Sequence, residues 1–112
     1  MKKIEPKALV ADLKMMVEFA KSGIVSKTIV DSKDVRYILF CFEAGQKLSK
    51  HTAPFAAGIY VLQGEGKFLL GNKAYKGVEG SFFHMPPGLL HAITATKNLV
   101  FLLSMVKAKS LR

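Results

Sequence analysis

The sequence predicts an all-β fold, a sandwich or a barrel, built as a single domain. The 112 residues are enough for one hydrophobic core but not for two. Short segments rich in β-branched and aromatic residues recur roughly every ten residues. Glycine-rich turns separate these segments, which is typical of antiparallel strands joined by hairpins.

The N-terminal part contains the one predicted helix, over residues 7–21. Good helix formers dominate this segment, and its apolar residues fit one helical face loosely. Gly23 provides a stop signal. We expect this helix to be short, and an extended conformation of residues 15–19 is the alternative.

Strand-like segments occupy the rest of the chain. Glycine turns are predicted at Gly45, Gly64, Gly71, Gly80 and Gly88. The segment 35–43 is apolar on both faces, so it needs a second cover, either the N-terminal segment or a partner subunit. The predicted strands are residues 24–30, 35–43, 59–62, 67–70, 81–85, 91–96 and 99–107.

Composition excludes several classes of protein. Half of the residues are apolar and 10% are aromatic, which is globular rather than disordered composition. The single cysteine, Cys41, excludes an internal disulfide, and we expect a buried, inert thiol there. No apolar run reaches the roughly 18 residues of a membrane span, and no targeting segment is evident. These features predict a cytoplasmic protein that does not enter a membrane.

The net charge of +9 raises the question of nucleic-acid binding. The lysines are scattered singly along the chain, and Arg36 and Arg112 are the only arginines. No basic run with interleaved aromatic residues occurs. From the sequence we therefore expect a solvated basic surface and no nucleic-acid partner.

Two spaced motifs carry the identification of the fold. The first runs from Gly45 through His51 to residues 59–64, and the second from Gly80 through Pro86-Pro87-Gly88 to His91. Both resemble the paired motifs of the cupin superfamily, in the form seen in small single-domain bacterial cupins. The resemblance implies a jelly-roll barrel, the double-stranded β-helix of the cupin type, with a short N-terminal helical or irregular segment. In one domain of residues 1–112, the barrel would span about 24–106, motif one 45–64 and motif two 80–95.

The metal-binding part of these motifs is depleted. Cupins that bind metal usually supply three histidines and a glutamate, and the matching positions here are His51, Ala53, Ala57 and His91. Ala95 stands where the second motif usually has asparagine. Two imidazoles are fewer than the three or more protein ligands of catalytic zinc or iron sites. We therefore expect no tightly bound cofactor, and at most a weakly held divalent ion such as Zn, Ni, Fe or Mn.

The sequence also resembles a narrower group of small bacterial cupins without an established activity. That group shares the segment His51-Thr52-Ala53-Pro54, and Leu90 replaces a proline that usually precedes the second histidine. Three functions stay open: a module that binds a small, partly apolar ligand, a degenerate metalloenzyme, and an interaction scaffold. The resemblance also implies a homodimer. His84 is a further candidate ligand, and the predicted pocket residues are His51, His91, Tyr60, Phe55 and Met85.

Overall fold

Nine antiparallel strands and one 3-10 turn make up residues 7–107, the part of the chain that the structure, a computed structural model, describes. The 3-10 turn is Leu13–Met16. The strands are β1 (Val25–Asp31), β2 (Val35–Phe42), β3 (Lys47–His51), β4 (Ala56–Gln63), β5 (Glu65–Leu70), β6 (Lys73–Val78), β7 (Phe82–Met85), β8 (His91–Ala95) and β9 (Leu99–Val106).

The strands form two sheets that pack face to face. One has five strands in the order β1-β2-β9-β4-β7, and the other has four in the order β3-β8-β5-β6. Every strand pair is antiparallel. The predicted jelly-roll barrel is therefore confirmed, and its strands span residues 25–106, close to the predicted limits of 24–106.

The core lies between the sheets, where inward-facing aromatic rings from both sheets meet. The Phe101 ring on β9 lies 5.5 Å from Phe42 on β2 and 6.0 Å from Phe68 on β5, measured between ring centroids. All three side chains are at most 1% exposed. Such rings contribute large apolar areas to folding, and they hold the two sheets at a fixed separation.

A second, smaller cluster covers the outer face of the five-stranded sheet. Leu39, Cys41 and Val100 are buried there, beneath Met16, Val17 and Phe19 of the N-terminal segment. The N-terminal segment thus supplies part of the second cover that the apolar strand 35–43 required. Cys41 is 1% exposed, as expected of a structural thiol.

The predicted helix over residues 7–21 is wrong in extent, because only the 3-10 turn Leu13–Met16 forms. The Asp12 carboxylate accepts a hydrogen bond from the backbone N–H of Lys14 and caps this turn. Val17, with φ −64° and ψ 130°, is already extended. Packing of this extended segment on the sheet outweighs its weak helix propensity.

The sequence patterns missed two strands, β3 and β6. Their sequences, KLSKH and KAYKGV, carry two lysines each and few β-branched residues. The predicted turn glycines are confirmed, since Gly45, Gly64, Gly71, Gly80 and Gly88 all have positive φ. Gly64 is also sterically required, because a Cβ there would lie 1.8 Å from the carbonyl oxygen of Asn98. Within residues 7–107, no helix is long and apolar enough to cross a bilayer.

Candidate functional site

The two motif histidines face each other inside the barrel. His51 ends β3, His91 begins β8, and the two residues are direct partners in the antiparallel ladder. Their ring centroids are 4.0 Å apart, with the ring planes at 60°. The Pro86-Pro87-Gly88 turn precedes His91, and the Gly88 N–H donates to the Ala53 carbonyl at 2.8 Å. The turn and the loop after β3 are thereby tied together beside the pair.

Backbone carbonyls fix the orientation of both rings. The Nδ1 of His51 lies 2.8 Å from the Ser49 carbonyl oxygen, and the Nδ1 of His91 lies 2.9 Å from the Leu89 carbonyl oxygen. A carbonyl oxygen only accepts hydrogen bonds, so each Nδ1 carries the proton. In the neutral state, each Nε2 is therefore an acceptor. Two acceptors cannot bond to each other, so the pair needs a donor from outside.

Burial favours the neutral form of His91, whose side chain is 7% exposed. Removal from water lowers the pKa of His91 below its ordinary value, and the neighbouring His51 lowers it further. The hydrogen bond to Leu89 acts in the opposite direction without cancelling this effect. At neutral pH, the site therefore presents the Nε2 lone pair of His91 rather than a positive charge.

Two small cavities of about 70 and 80 Å³ border the histidine pair. Both are lined by His51, His91, Met85 and Leu103, and the remaining walls are chiefly apolar. Since one water occupies about 30 Å³ of liquid, each cavity has the volume of a few waters. The larger cavities that usually hold drug-sized ligands measure roughly 300–1,000 Å³. The first cavity is completed by Ala53, Phe55, Ala57, Pro86, Leu89 and Met105.

The positions of the missing metal ligands border the same space. Ala53 and Ala57 both line the first cavity, and Ala57 projects from β4 of the opposite sheet. Nothing in residues 7–107 groups three histidine, cysteine or acidic side chains as a metal site would require. The two imidazoles and the apolar walls do not fit a catalytic metal centre, which needs at least a third protein ligand.

Four of the five predicted pocket residues, His51, His91, Phe55 and Met85, line the first cavity. Tyr60 does not, and its placement in the pocket was wrong. In β4, Ala57, Ile59 and Val61 point inward, so alternation turns Tyr60 outward, where it is 45% exposed.

His84 also faces outward. It alternates with the inward-facing Phe83 and Met85 on β7 and borders neither cavity. It therefore does not replace a lost ligand of the histidine pair.

Leu89 and Leu103 are among the cavity residues that the sequence did not predict. Leu89 follows the proline–glycine turn, where no periodicity assigns a face. Leu103 lies on β9, whose run of apolar residues does not reveal which side chains face the lumen. The pairing of Leu103 with Ile38 and Ile59 places it on the inner face, and only the register supplies that information.

Comparison with known proteins agrees with this architecture. Residues 38–105 match the family model described as a cupin domain. No curated protein matches the chain significantly.

Among solved structures, a conserved protein of unknown function from Streptococcus pyogenes is 28% identical. The match covers 98% of each chain with a TM-score of 0.82. A cupin 2 conserved barrel domain protein from Leptotrichia buccalis is 33% identical over 84% of this chain and 46% of its own, with a TM-score of 0.78. A cupin superfamily protein from Desulfitobacterium hafniense, at 20% identity, covers 92% of this chain and 94% of its own with a TM-score of 0.82, which shows the shared fold. The family match, together with the barrel topology and the paired motif histidines, shows that the chain belongs to the cupin family.

Proposed function

We propose that the barrel lumen binds a small, neutral molecule that carries an O–H or N–H donor and a short apolar part. The observation that supports this most directly is the tautomer of the histidine pair. Both Nδ1 atoms are committed to backbone carbonyls, so only the Nε2 acceptors are left for a ligand. The size of the cavities and their apolar walls restrict the remainder of the molecule to a few carbon atoms.

Propan-2-ol and acetone test this proposal as a matched pair, because they have the same number of non-hydrogen atoms and only the alcohol can donate. Acetamide is a third probe with an N–H donor. Before any ligand is added, the imidazole ¹⁵N resonances of ¹⁵N-labelled protein should show that Nδ1 is protonated in both rings. Propan-2-ol and acetamide should then shift the Nε2 resonances of His51 and His91, whereas acetone should not.

Variants separate lumen binding from binding at the surface. His91→Leu and His51→Leu should each weaken the response to propan-2-ol, since each removes one of the two Nε2 acceptors, and together they should abolish it. His84→Gln is the control, because His84 is exposed on the outer face of β7 and its loss should leave the titration unchanged. Equal binding of acetone, or binding that survives the double leucine variant, would contradict the proposal.

A degenerate metal-dependent enzyme is the second candidate, and the closeness of the His51 and His91 rings, whose centroids are 4.0 Å apart, supports it. Two imidazoles would hold Zn, Ni, Fe or Mn weakly, with water or a substrate as the other ligands. The apolar walls and the missing carboxylate favour the first candidate. Metal analysis after dialysis against a chelator distinguishes them, because stoichiometric retained metal would support the enzyme.

We also propose a homodimer formed through the outer face of the five-stranded sheet. Apolar side chains gather there, with Phe82 64% and Tyr60 45% exposed, and the Phe82 ring lies over Gly58. A second copy would cover this surface. Light scattering at micromolar concentration should give a dimer mass for the protein and a monomer mass for Phe82→Asp. A cytoplasmic location likewise stays a prediction.

A further inference from the structure

The fold gathers lysines that are far apart in the sequence into one row. Across the four-stranded sheet, Lys47 is the partner of Thr94, Thr94 of Lys67, and Lys67 of Lys76. Residues directly opposite each other project from the same face. Leu48, Phe68 and Ile93, their neighbours along the strands, pack into the core, so the row points to solvent. Strands lie about 4.8 Å apart, so the row is about 14 Å long.

The two sheets differ strongly in charge. The four-stranded sheet carries two lysines on β3, one on β5 and two on β6, against the single acidic residue Glu65. The five-stranded sheet has Lys27 and Arg36 as its only basic strand residues, against Asp31. The net charges of the strands are therefore +4 and +1, so the excess charge is concentrated on the four-stranded sheet.

Ion pairing increases this difference. Lys27 contacts Glu18 at 2.9 Å, and both Arg36 and Lys107 contact Asp31, at 3.2 and 2.8 Å. In the row, Lys76 contacts Glu65 at 3.6 Å. Lys47 and Lys67 have no acidic partner among residues 7–107. The basic strand residues of the five-stranded sheet are therefore paired with acidic groups, whereas Lys47 and Lys67 of the row are not.

A shallow depression of about 310 Å³ adjoins the row. It is lined by Lys67 and Lys76 together with Glu65, Tyr75 and Thr96. The Thr96 hydroxyl donates to the Glu65 carboxylate at 3.1 Å. Tyr75 is the partner of the core residue Phe68, so its ring projects from the opposite face of the sheet. Ammonium groups contact phosphate oxygens, and among residues 7–107 Lys67 is the lysine of this depression without an acidic partner. The depression thus adds room for a backbone phosphate beside Lys67, but it offers no aromatic ring for a base.

We propose that this lysine row and depression bind the sugar–phosphate backbone of single-stranded nucleic acid without reading its sequence. A flexible single strand can follow the exposed face of a sheet, whereas the major groove of a duplex admits a helix or a narrow ribbon. The structure describes every strand residue of this sheet, and none of them is arginine, the residue that most often reads bases. Binding is therefore electrostatic and depends strongly on salt.

Two other anionic partners fit the surface less well. Protein interfaces centre on buried aromatic or arginine anchors, and Tyr75 at the edge is the one exposed aromatic on this sheet. A membrane surface favours apolar side chains beside the basic ones. The most exposed apolar residues, Val10, Met15 and Phe82, belong instead to the N-terminal segment and the five-stranded sheet.

Fluorescence polarisation of a labelled 20-nucleotide oligouridylate tests the proposal. The wild-type protein should bind in about 50 mM salt and lose affinity steeply as salt rises. The triple variant Lys47→Gln, Lys67→Gln, Lys76→Gln should bind at least tenfold more weakly, with a log–log salt slope smaller by about 2, since each lost phosphate contact removes about 0.7. Circular dichroism checks that the barrel is folded.

A matched variant controls for net charge alone. Lys14→Gln, Lys21→Gln, Lys33→Gln removes three exposed lysines outside the four-stranded sheet, and it should bind like the wild type. Equal losses in both triple variants, or no binding by the wild type at low salt, would overturn the proposal. So would tighter binding to polyglutamate or to phosphatidylserine vesicles than to the oligonucleotide, because the partner would then be an acidic protein or a membrane.

Discussion

The two sheets of this barrel share one core but present opposite outer surfaces. The five-stranded sheet is covered by apolar side chains, some beneath the N-terminal segment and others, such as Phe82, exposed. The four-stranded sheet turns lysines to solvent. The side chains on the inner faces form the shared core and stabilise both sheets. The outer faces do not contribute to that core, so the two sheets can differ there in what they bind.

The same contrast determines how much of the fold the sequence predicts. All five strands of the five-stranded sheet were predicted, because apolar side chains on both of its faces give a strong strand signal. Of the four-stranded sheet, β5 and β8 were found, but β3 and β6 were missed. In β3 and β6 two lysines stand three positions apart, so neither strand shows the alternation of apolar and polar residues that marks a half-buried strand. Turn glycines alone locate the ends of a strand rather than its pairing.

The candidate site was predictable only in part for a related reason. His51 and His91 were identified by motif spacing, whereas their partnership across β3 and β8 depends on register. The carbonyl hydrogen bonds that fix the two tautomers depend on backbone positions two residues away. Tyr60 was misplaced because an apolar strand does not show which alternate residues face inward.

The largest expected effect concerns a turn on which both sheets depend. Gly64 joins β4 of one sheet to β5 of the other, and a Cβ there would lie 1.8 Å from the Asn98 carbonyl oxygen. Gly64→Ala should lower the free energy of unfolding by more than about 3 kcal/mol, through overpacking added to an unfavourable φ. Gly45→Ala, with φ +92° and no atom within 4 Å, should cost about 1 kcal/mol. Urea denaturation measures both, and equal losses would contradict the steric argument.

The second prediction concerns the lumen, where residues from both sheets lie beside the histidine pair. Ala53→His with Ala57→Glu adds an imidazole and a carboxylate beside the histidine pair, and Ala57 belongs to the opposite sheet. Zinc affinity, measured by calorimetry, should rise more than about 100-fold, because two further ligands are added where even supporting groups change affinity 10- to 100-fold. Ala92→His, on the outer face of β8, is the control. An unchanged affinity in the double variant would show that positions 53 and 57 do not converge on the histidines.

The third prediction uses the burial of His91. Its folded-state pKa lies below the ordinary value of 6.5, so the unfolded chain binds more protons around that pH. The free energy of unfolding should therefore fall as pH drops below about 6.5, and level off once the folded state is also protonated. Chemical denaturation from pH 8 to pH 5 measures this slope. His91→Leu should reduce the slope, whereas the exposed His84→Gln should not. An unchanged or steeper slope in His91→Leu would contradict the assignment.

The smallest expected effect concerns the repulsion within the lysine row. Lys67 lies directly opposite Lys76, and like charges at such positions destabilise a sheet by roughly 0.2–1 kcal/mol. Lys67→Thr should therefore raise the free energy of unfolding by a few tenths of a kcal/mol, since threonine also suits a strand. Lys47→Thr is the matched control, because its direct partner is Thr94. Salt distinguishes charge from strand propensity: the gain in Lys67→Thr should shrink between about 0.05 and 1 M salt as screening increases, whereas any gain in Lys47→Thr should change less. A stabilisation of Lys67→Thr that salt leaves unchanged would mean that strand propensity, rather than repulsion between the two lysines, sets the stability of this face.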